Sequence, residues 1–197
     1  WYANSWSAYN AAPGGKTAPE RNLSLAALND HVSNNRSIIM ETGNELNPLR
    51  ADKIRSEFGL NMWFRTAGYS YRWLDAMKAT GAKLIVPLNF PDTPKVASIE
   101  DEMDISLRDL RHWDLAPENP GRLEKAGFDF ALTTSALSKK DQFLTNLRSA
   151  VTRGLSKDKA LSALTTAPAA WLGMSSTLGS VEAGKIANLV VTDGDLF

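Results

Sequence analysis

The chain predicts an α/β fold built on a parallel sheet, and three observations carry that expectation. Short apolar runs begin at residues 37, 60 and 83, about 23 residues apart, with a capped helical pattern in each gap. Such spacing is that of βαβ units, because a parallel crossover needs a helix-length connection. The composition, 43% hydrophobic and 22% charged over 197 residues, is that of a globular domain with a real core.

The opening segment carries Tyr2, Trp6 and Tyr9 at a spacing of four then three, which places three rings on one helical face until Pro13, Gly14 and Gly15 stop it. Such a face either stacks on sugars or packs against a neighbouring element. SIIMET, 37–42, then reads as a buried strand. NPLRADKIRSEFG follows as a helix with Asn47 as N-cap, Pro48 at the first helical position and Gly59 as its stop. LNMWFR, 60–65, is the second strand; SYRWLDAMKATG is the next helix, capped by Ser70 and closed by Gly81. KLIVPLNF, 83–90, is the third strand.

A longer excursion follows. Its acidic run Glu100, Asp101, Glu102 and Asp104 lacks the alternating Asp/Asn and glycine of a calcium loop, so a solvated loop leading into a helix is expected. The chain returns through Pro117 and Pro120 to a fourth strand, GFDFAL, 127–132. Beyond it, Ser138 and Asp141 stand at capping-box spacing before a helix with Phe143, Leu144, Leu147, Ala150 and Val151 on one face. Ser156 caps another helix and Pro168 starts a short one ending at Gly173. The tail differs, with a strand expected at 188–192 and an Asp193-Gly194 turn after it.

Composition also bounds partners. Lys plus Arg (22) equals Asp plus Glu (22), so no long-range field collects nucleic acid or anionic lipid. No apolar run approaches the roughly 20 residues of a membrane-spanning helix, and neither a membrane nor a nucleic-acid partner is expected. With no cysteine, disulfides and thiolate chemistry are excluded.

The C-terminal string GLSKDKALSALTTAPAAWLGMSSTLGSVEAGKIANLVV closely resembles the signature of the amidohydrolase superfamily, the metal-dependent hydrolases that include imidazolonepropionase and dihydroorotase. The matching positions run from Gly154 through Ala160-Leu161, Thr165, Pro168-Ala169, Leu172-Gly173, Gly179, Glu182, Gly184-Lys185, Ala187 and Leu189, with Asn188 in place of the usual Asp. The resemblance implies that residues 1–175 are the C-terminal half, strands five to eight, of a TIM-like (β/α)8 barrel. Residues 176–197 would be the C-terminal strand region of a small β-sandwich. It implies further that the first four strands lie outside this chain, so that a missing N-terminal half, or a second copy, completes the barrel.

Active sites of such barrels lie at the carboxyl ends of the strands. In metal-dependent relatives strand one carries His-x-His, strand four a lysine or glutamate, strands five and six one histidine each, and strand eight an aspartate. Here those later places hold Glu41, Arg65 and Ser135. Arginine cannot be deprotonated and repels a cation, so no metal ligand set is expected in this segment, although the family usually uses zinc or another divalent metal. The two histidines, His31 and His112, stand away from strand ends. Glu41 and Arg65 are expected within ion-pair reach, either orienting a carboxylate or amide substrate or neutralising each other. Tyr69, Asn89, Thr134 and Ser135 would line the same mouth as uncharged donors to a small-molecule substrate. Three readings stay open: a hydrolase of carbon–nitrogen bonds other than peptide bonds, a metal-free binding or scaffold protein, and a half-barrel that closes as a dimer.

Overall fold

A computed structural model describes residues 1–15 and 17–197. Four short strands, β1 (Ile38–Glu41), β2 (Met62–Arg65), β3 (Leu84–Pro87) and β4 (Phe130–Thr133), form one sheet in the order β1-β2-β3-β4, parallel throughout. The expected parallel sheet is therefore present, each strand two to four residues shorter than its apolar run. In register, Glu41 lies opposite Arg65 and Pro87 opposite Thr133, so the four carboxyl ends are level.

Ten helices accompany the sheet among the described residues. The first two are α1 (Tyr2–Ala11) and α2 (Leu23–Ser33). In the first βαβ gaps lie α3 (Asn47–Glu57) and α4 (Leu74–Thr80), and in the excursion α5 (Ile99–Asp104), α6 (Leu107–Leu115) and α7 (Asn119–Lys125). The series ends with α8 (Phe143–Thr152), α9 (Lys157–Leu164) and α10 (Thr166–Trp171). None is long and apolar enough to cross a membrane.

Alternation along the strands assigns the two faces. Met62, Phe64, Leu84, Val86 and Phe130 point to the helices and form the core with Met77, Leu123, Leu147, Ala160 and Ala163. The Phe, Leu, Val and Met side chains among them each contribute about 1.5–3 kcal/mol relative to exposure. The opposite face, which would look into a closed barrel, is covered at one end only. There Trp171 packs on Trp63 with ring centroids 5.4 Å apart, Lys83 lies over both rings, and the Trp171 Nε1–H donates to Asp129 at 2.8 Å. Lys83 and Asp129 immediately precede β3 and β4, so this contact plugs the amino end of the sheet. The carboxyl end stays open, and on edge strand β1 Ile39 is 55% exposed.

Several local expectations are corrected. Asn47 does not cap α3: Asn44 Oδ1 accepts from the backbone N–H groups of Leu46 and Asn47, three residues earlier than expected. Ser70 opens a 3-10 turn, Ser70–Arg72, and α4 begins only at Leu74. The acidic run is not a loop but α5 itself, held by a capping box between Ser98 and Asp101, which uses the acidic residues to satisfy its first turn. Ser138 and Asp141 form no such box, because a 3-10 turn, Lys140–Gln142, precedes α8. Ser156 does cap α9, accepting from the Lys159 N–H at 3.1 Å.

In the tail, residues 188–192 form no strand. A strand needs a neighbour to satisfy its backbone, and none is present among the described residues. Val190 and Val191 point outward. The three opening rings do share a face of α1, meeting edge to face at 6.5 Å and 6.0 Å, and the Tyr2 hydroxyl accepts from the Asn22 N–H where α2 begins.

Candidate functional site

The open carboxyl end of the sheet forms a cleft of about 200 Å3, lined in part by Glu41, Arg65, Thr66, Asn89, Ser135 and Ala136. Each strand contributes its tip or residues of the turn that follows it, which is why one parallel register brings together positions almost a hundred residues apart in the chain. The volume lies below the roughly 300–1,000 Å3 of a drug-sized pocket, so the cleft suits a small group or one wall of a larger cavity.

Arg65 Nη2 and Glu41 Oε2 form an ion pair across β1 and β2, with side chains 28% and 70% exposed. The Glu41 carboxylate therefore reaches into solvent, while the guanidinium is held back in the cleft. Beneath them, Thr42 and Thr66 follow the two charged tips directly and are both buried. The Thr42 hydroxyl and N–H both donate to the Arg65 carbonyl at 2.9 Å, tying the strand ends together. Thr66, 6% exposed, borders the cleft, and its buried hydroxyl finds no hydrogen-bond partner among the described residues. A buried hydroxyl left unpaired costs about 1–3 kcal/mol, so a ligand or water that meets it is favoured there.

Asn89, just past β3, places its Oδ1 3.2 Å from where a Cβ on Gly68 would stand; with φ +85 at Gly68, the glycine is what lets the β2 loop pass the amide. Ser135 N–H donates to Thr133 Oγ1 at 3.1 Å, and Ala136 takes φ +65, a turn that lays both residues against the cleft. Thr134 points outward and is not among the lining residues.

Tyr69 also lies outside the cleft. It stacks on His112 of α6 at 3.9 Å between centroids, and it lines a small void with Glu45, Thr66 and Ala67. Glu45 pairs with Arg72 at 2.9 Å, and a backbone hydrogen bond at Glu45 itself, with Arg72 adding to it, holds its carboxyl below the usual carboxylate range. His112, whose Nδ1 lies 3.2 Å from the Tyr71 hydroxyl, has its pKa lowered first by burial and then by Arg72. His31 lies on α2, its Nε2 3.2 Å from the Ser37 carbonyl.

Thr42, Thr66, Glu45 and Arg72 escaped sequence reasoning. A signal exists for the threonines: Glu41-Thr42-Gly43 and Arg65-Thr66-Ala67 repeat one charged-Thr-small pattern at two strand ends. No comparable pattern marks Glu45 or Arg72, which meet only through folding.

A divalent metal does not fit the residues present at this rim. Among the described residues no three His, Cys, Asp or Glu side chains cluster as a metal would require, and the guanidinium of Arg65 stands at a strand tip.

The sequence model of the amidohydrolase family matches residues 118–196, the segment that carries the C-terminal signature. The resemblance to the amidohydrolase superfamily read from that signature is thus borne out there. No curated protein matches the chain. Among solved structures, an amidohydrolase from Thermotoga maritima MSB8 is similar at TM-score 0.67 and 22% identity, over 94% of this chain and 45% of that one. An uncharacterized protein is similar at TM-score 0.59 and 19% identity, over 86% and 42%. A Xaa-Pro dipeptidase with methionine bound in its active site is similar at TM-score 0.51 and 18% identity, over 82% and 40%. These likenesses are of fold, and the chain spans less than half the length of each structure.

Proposed function

We propose that this chain forms the strand-five-to-eight half of an amidohydrolase-type barrel, whose parent hydrolyses carbon–nitrogen bonds other than peptide bonds. In this reading the cleft is the substrate side of the mouth. Arg65 and the Thr66 hydroxyl orient a carbonyl or carboxylate, Glu41 fixes the guanidinium, and Asn89 and Ser135 supply neutral donors. Tyr69 and Thr134 belong to the outer rim. Any metal is held by residues outside this chain.

One observation carries the reading: a cleft that holds an ion pair and hydroxyl side chains at the carboxyl ends of parallel strands, the place where barrels of this kind keep their active sites, in a chain with the family's C-terminal signature. The Arg65–Glu41 pair favours a second reading, a metal-free binding or scaffold domain, because it fills the place where relatives hold metal ligands. The intact protein separates the two. Supplied with zinc or manganese, it is expected to bind metal and hydrolyse at least one amide, imide or cyclic ureide. Dipeptides, included because one structural neighbour is a dipeptidase, should not be cleaved. Absence of both bound metal and hydrolysis overturns the enzyme reading and selects the second.

A further inference from the structure

A further cavity, about 340 Å3, is lined by Tyr71, Arg72, Arg108, Arg111 and Leu115. Arg72 comes from the connector after β2, whereas Arg108 and Arg111 stand three apart on α6 and therefore on one helical face. Three guanidiniums here meet one carboxylate. Glu45 lies 2.9 Å from Arg72 and 4.0 Å from Arg108, and among the described residues Arg111 has no acidic partner. Asp114 and Glu118 pair with Arg153 and Arg122, while Asp109 accepts from the Ser106 hydroxyl at 2.6 Å and makes no ion pair among the described residues. Like charges one helical turn apart repel, so an anion between Arg108 and Arg111 would relieve a strain on α6 that Glu45, at 4.0 Å from Arg108 alone, offsets only in part.

The wall behind these arginines is fixed in advance. Arg72 lies over the rings of Tyr69 and Tyr71 at 4.9 Å and 5.7 Å. Tyr71 is buried, its N–H donates to Asn119 Oδ1 at 2.8 Å, and its hydroxyl meets His112. A donor already held in place loses little freedom when a ligand arrives, and more of the contact energy appears as affinity.

We propose that this cavity is a binding site for a small dianion, taken through oxyanion groups such as a phosphate or a pair of carboxylates. Arg108 and Arg111 are its new donors and Arg72 its fixed one. Guanidinium forks match such oxygens two at a time. The site does not depend on what the strand-end cleft does.

Calorimetric titration of the full chain with inorganic phosphate, and separately with succinate, at constant ionic strength set by chloride, tests this. Saturable binding of at least one is expected; the tighter one identifies a phosphoryl or a dicarboxylate ligand. The double variant R108A/R111A should bind about tenfold more weakly or worse, since charge-assisted hydrogen bonds are lost. R108K/R111K should fall between, keeping charge and losing the fork. R50A, on α3 and not among the lining residues, should bind as the parent does. No saturable heat with either anion overturns the proposal, and so does parental affinity in R108A/R111A. If the alanine pair fails to fold, the lysine pair decides: weaker binding supports the site and unchanged binding overturns it.

Discussion

At the scale of single residues, the Arg65–Glu41 pair looks strong by contact and is weak by environment. Glu41 is 70% exposed, so water screens it, and exposed ion pairs are worth about 0.2–1 kcal/mol in double-mutant cycles. A cycle of Arg65→Met and Glu41→Gln, followed by urea denaturation, should return a coupling in that range; a coupling several times larger would mean the pair holds the sheet together. His112 makes the opposite case, a modest contact in an environment that shifts it. Burial and Arg72 lower its pKa in the folded state, so the unfolded chain takes up the proton first. The stability it contributes is complete above about 6.5 and is lost as pH falls through the lower folded value. Comparing His112→Gln with the parent by urea denaturation between pH 7.5 and 5, the parent should lose more stability on the acid side. Equal acid-side losses would contradict the assignment.

At the scale of elements, the sequence disclosed the strands because each is a β-branched or aromatic run closed by a change to polar or small residues. It misplaced helix starts wherever the first-turn donors are met by an unexpected residue. Asn44 replaces Asn47 at α3, and 3-10 turns intervene before α4 and α8; these alternatives differ from regular caps by about 1 kcal/mol, too little for a local pattern to decide. Helix α2 was not legible at all. Its Leu23 and Leu28 are exposed, so no apolar stripe faces a core. Packing between elements is sharper than capping. At the start of α7, a Cβ on Gly121 would stand 2.6 Å from the carbonyl carbon of Gly154, a backbone atom that cannot step aside. Gly121→Ala should therefore cost about 1–3 kcal/mol, as overpacking does, read as a fall in the urea midpoint at unchanged m value. A neutral substitution would show that α7 and the Gly154 turn are not in contact.

At the scale of the whole molecule, the cleft was legible further than its contents. Parallel strands put Glu41, Arg65, Asn89 and Ser135 at one rim, an expectation that joined the strand spacing to what the family resemblance implies about strand ends. The buried Thr66 hydroxyl and the Glu45–Arg72–His112 cluster did not, because they depend on loops crossing in space. The same geometry leaves β1 and β4 without second neighbours among the described residues, with Ile39, Val190 and Val191 outward. Parallel sheets are ordinarily covered on both faces and their edges protected. The chain alone should associate as its concentration rises in sedimentation velocity, and Ile39→Lys with Val191→Lys should shift it toward monomer. A parent chain that remains monomeric throughout would mean these surfaces are not sites of association. The central claim, that the strand-end rim is built from ligand-binding side chains and not from metal ligands, meets its most direct test in metal content. After incubation of this chain with zinc or manganese and removal of the excess, elemental analysis should find only substoichiometric metal, the same in the parent and in Glu41→Gln. One bound equivalent that disappears with Glu41→Gln would contradict it.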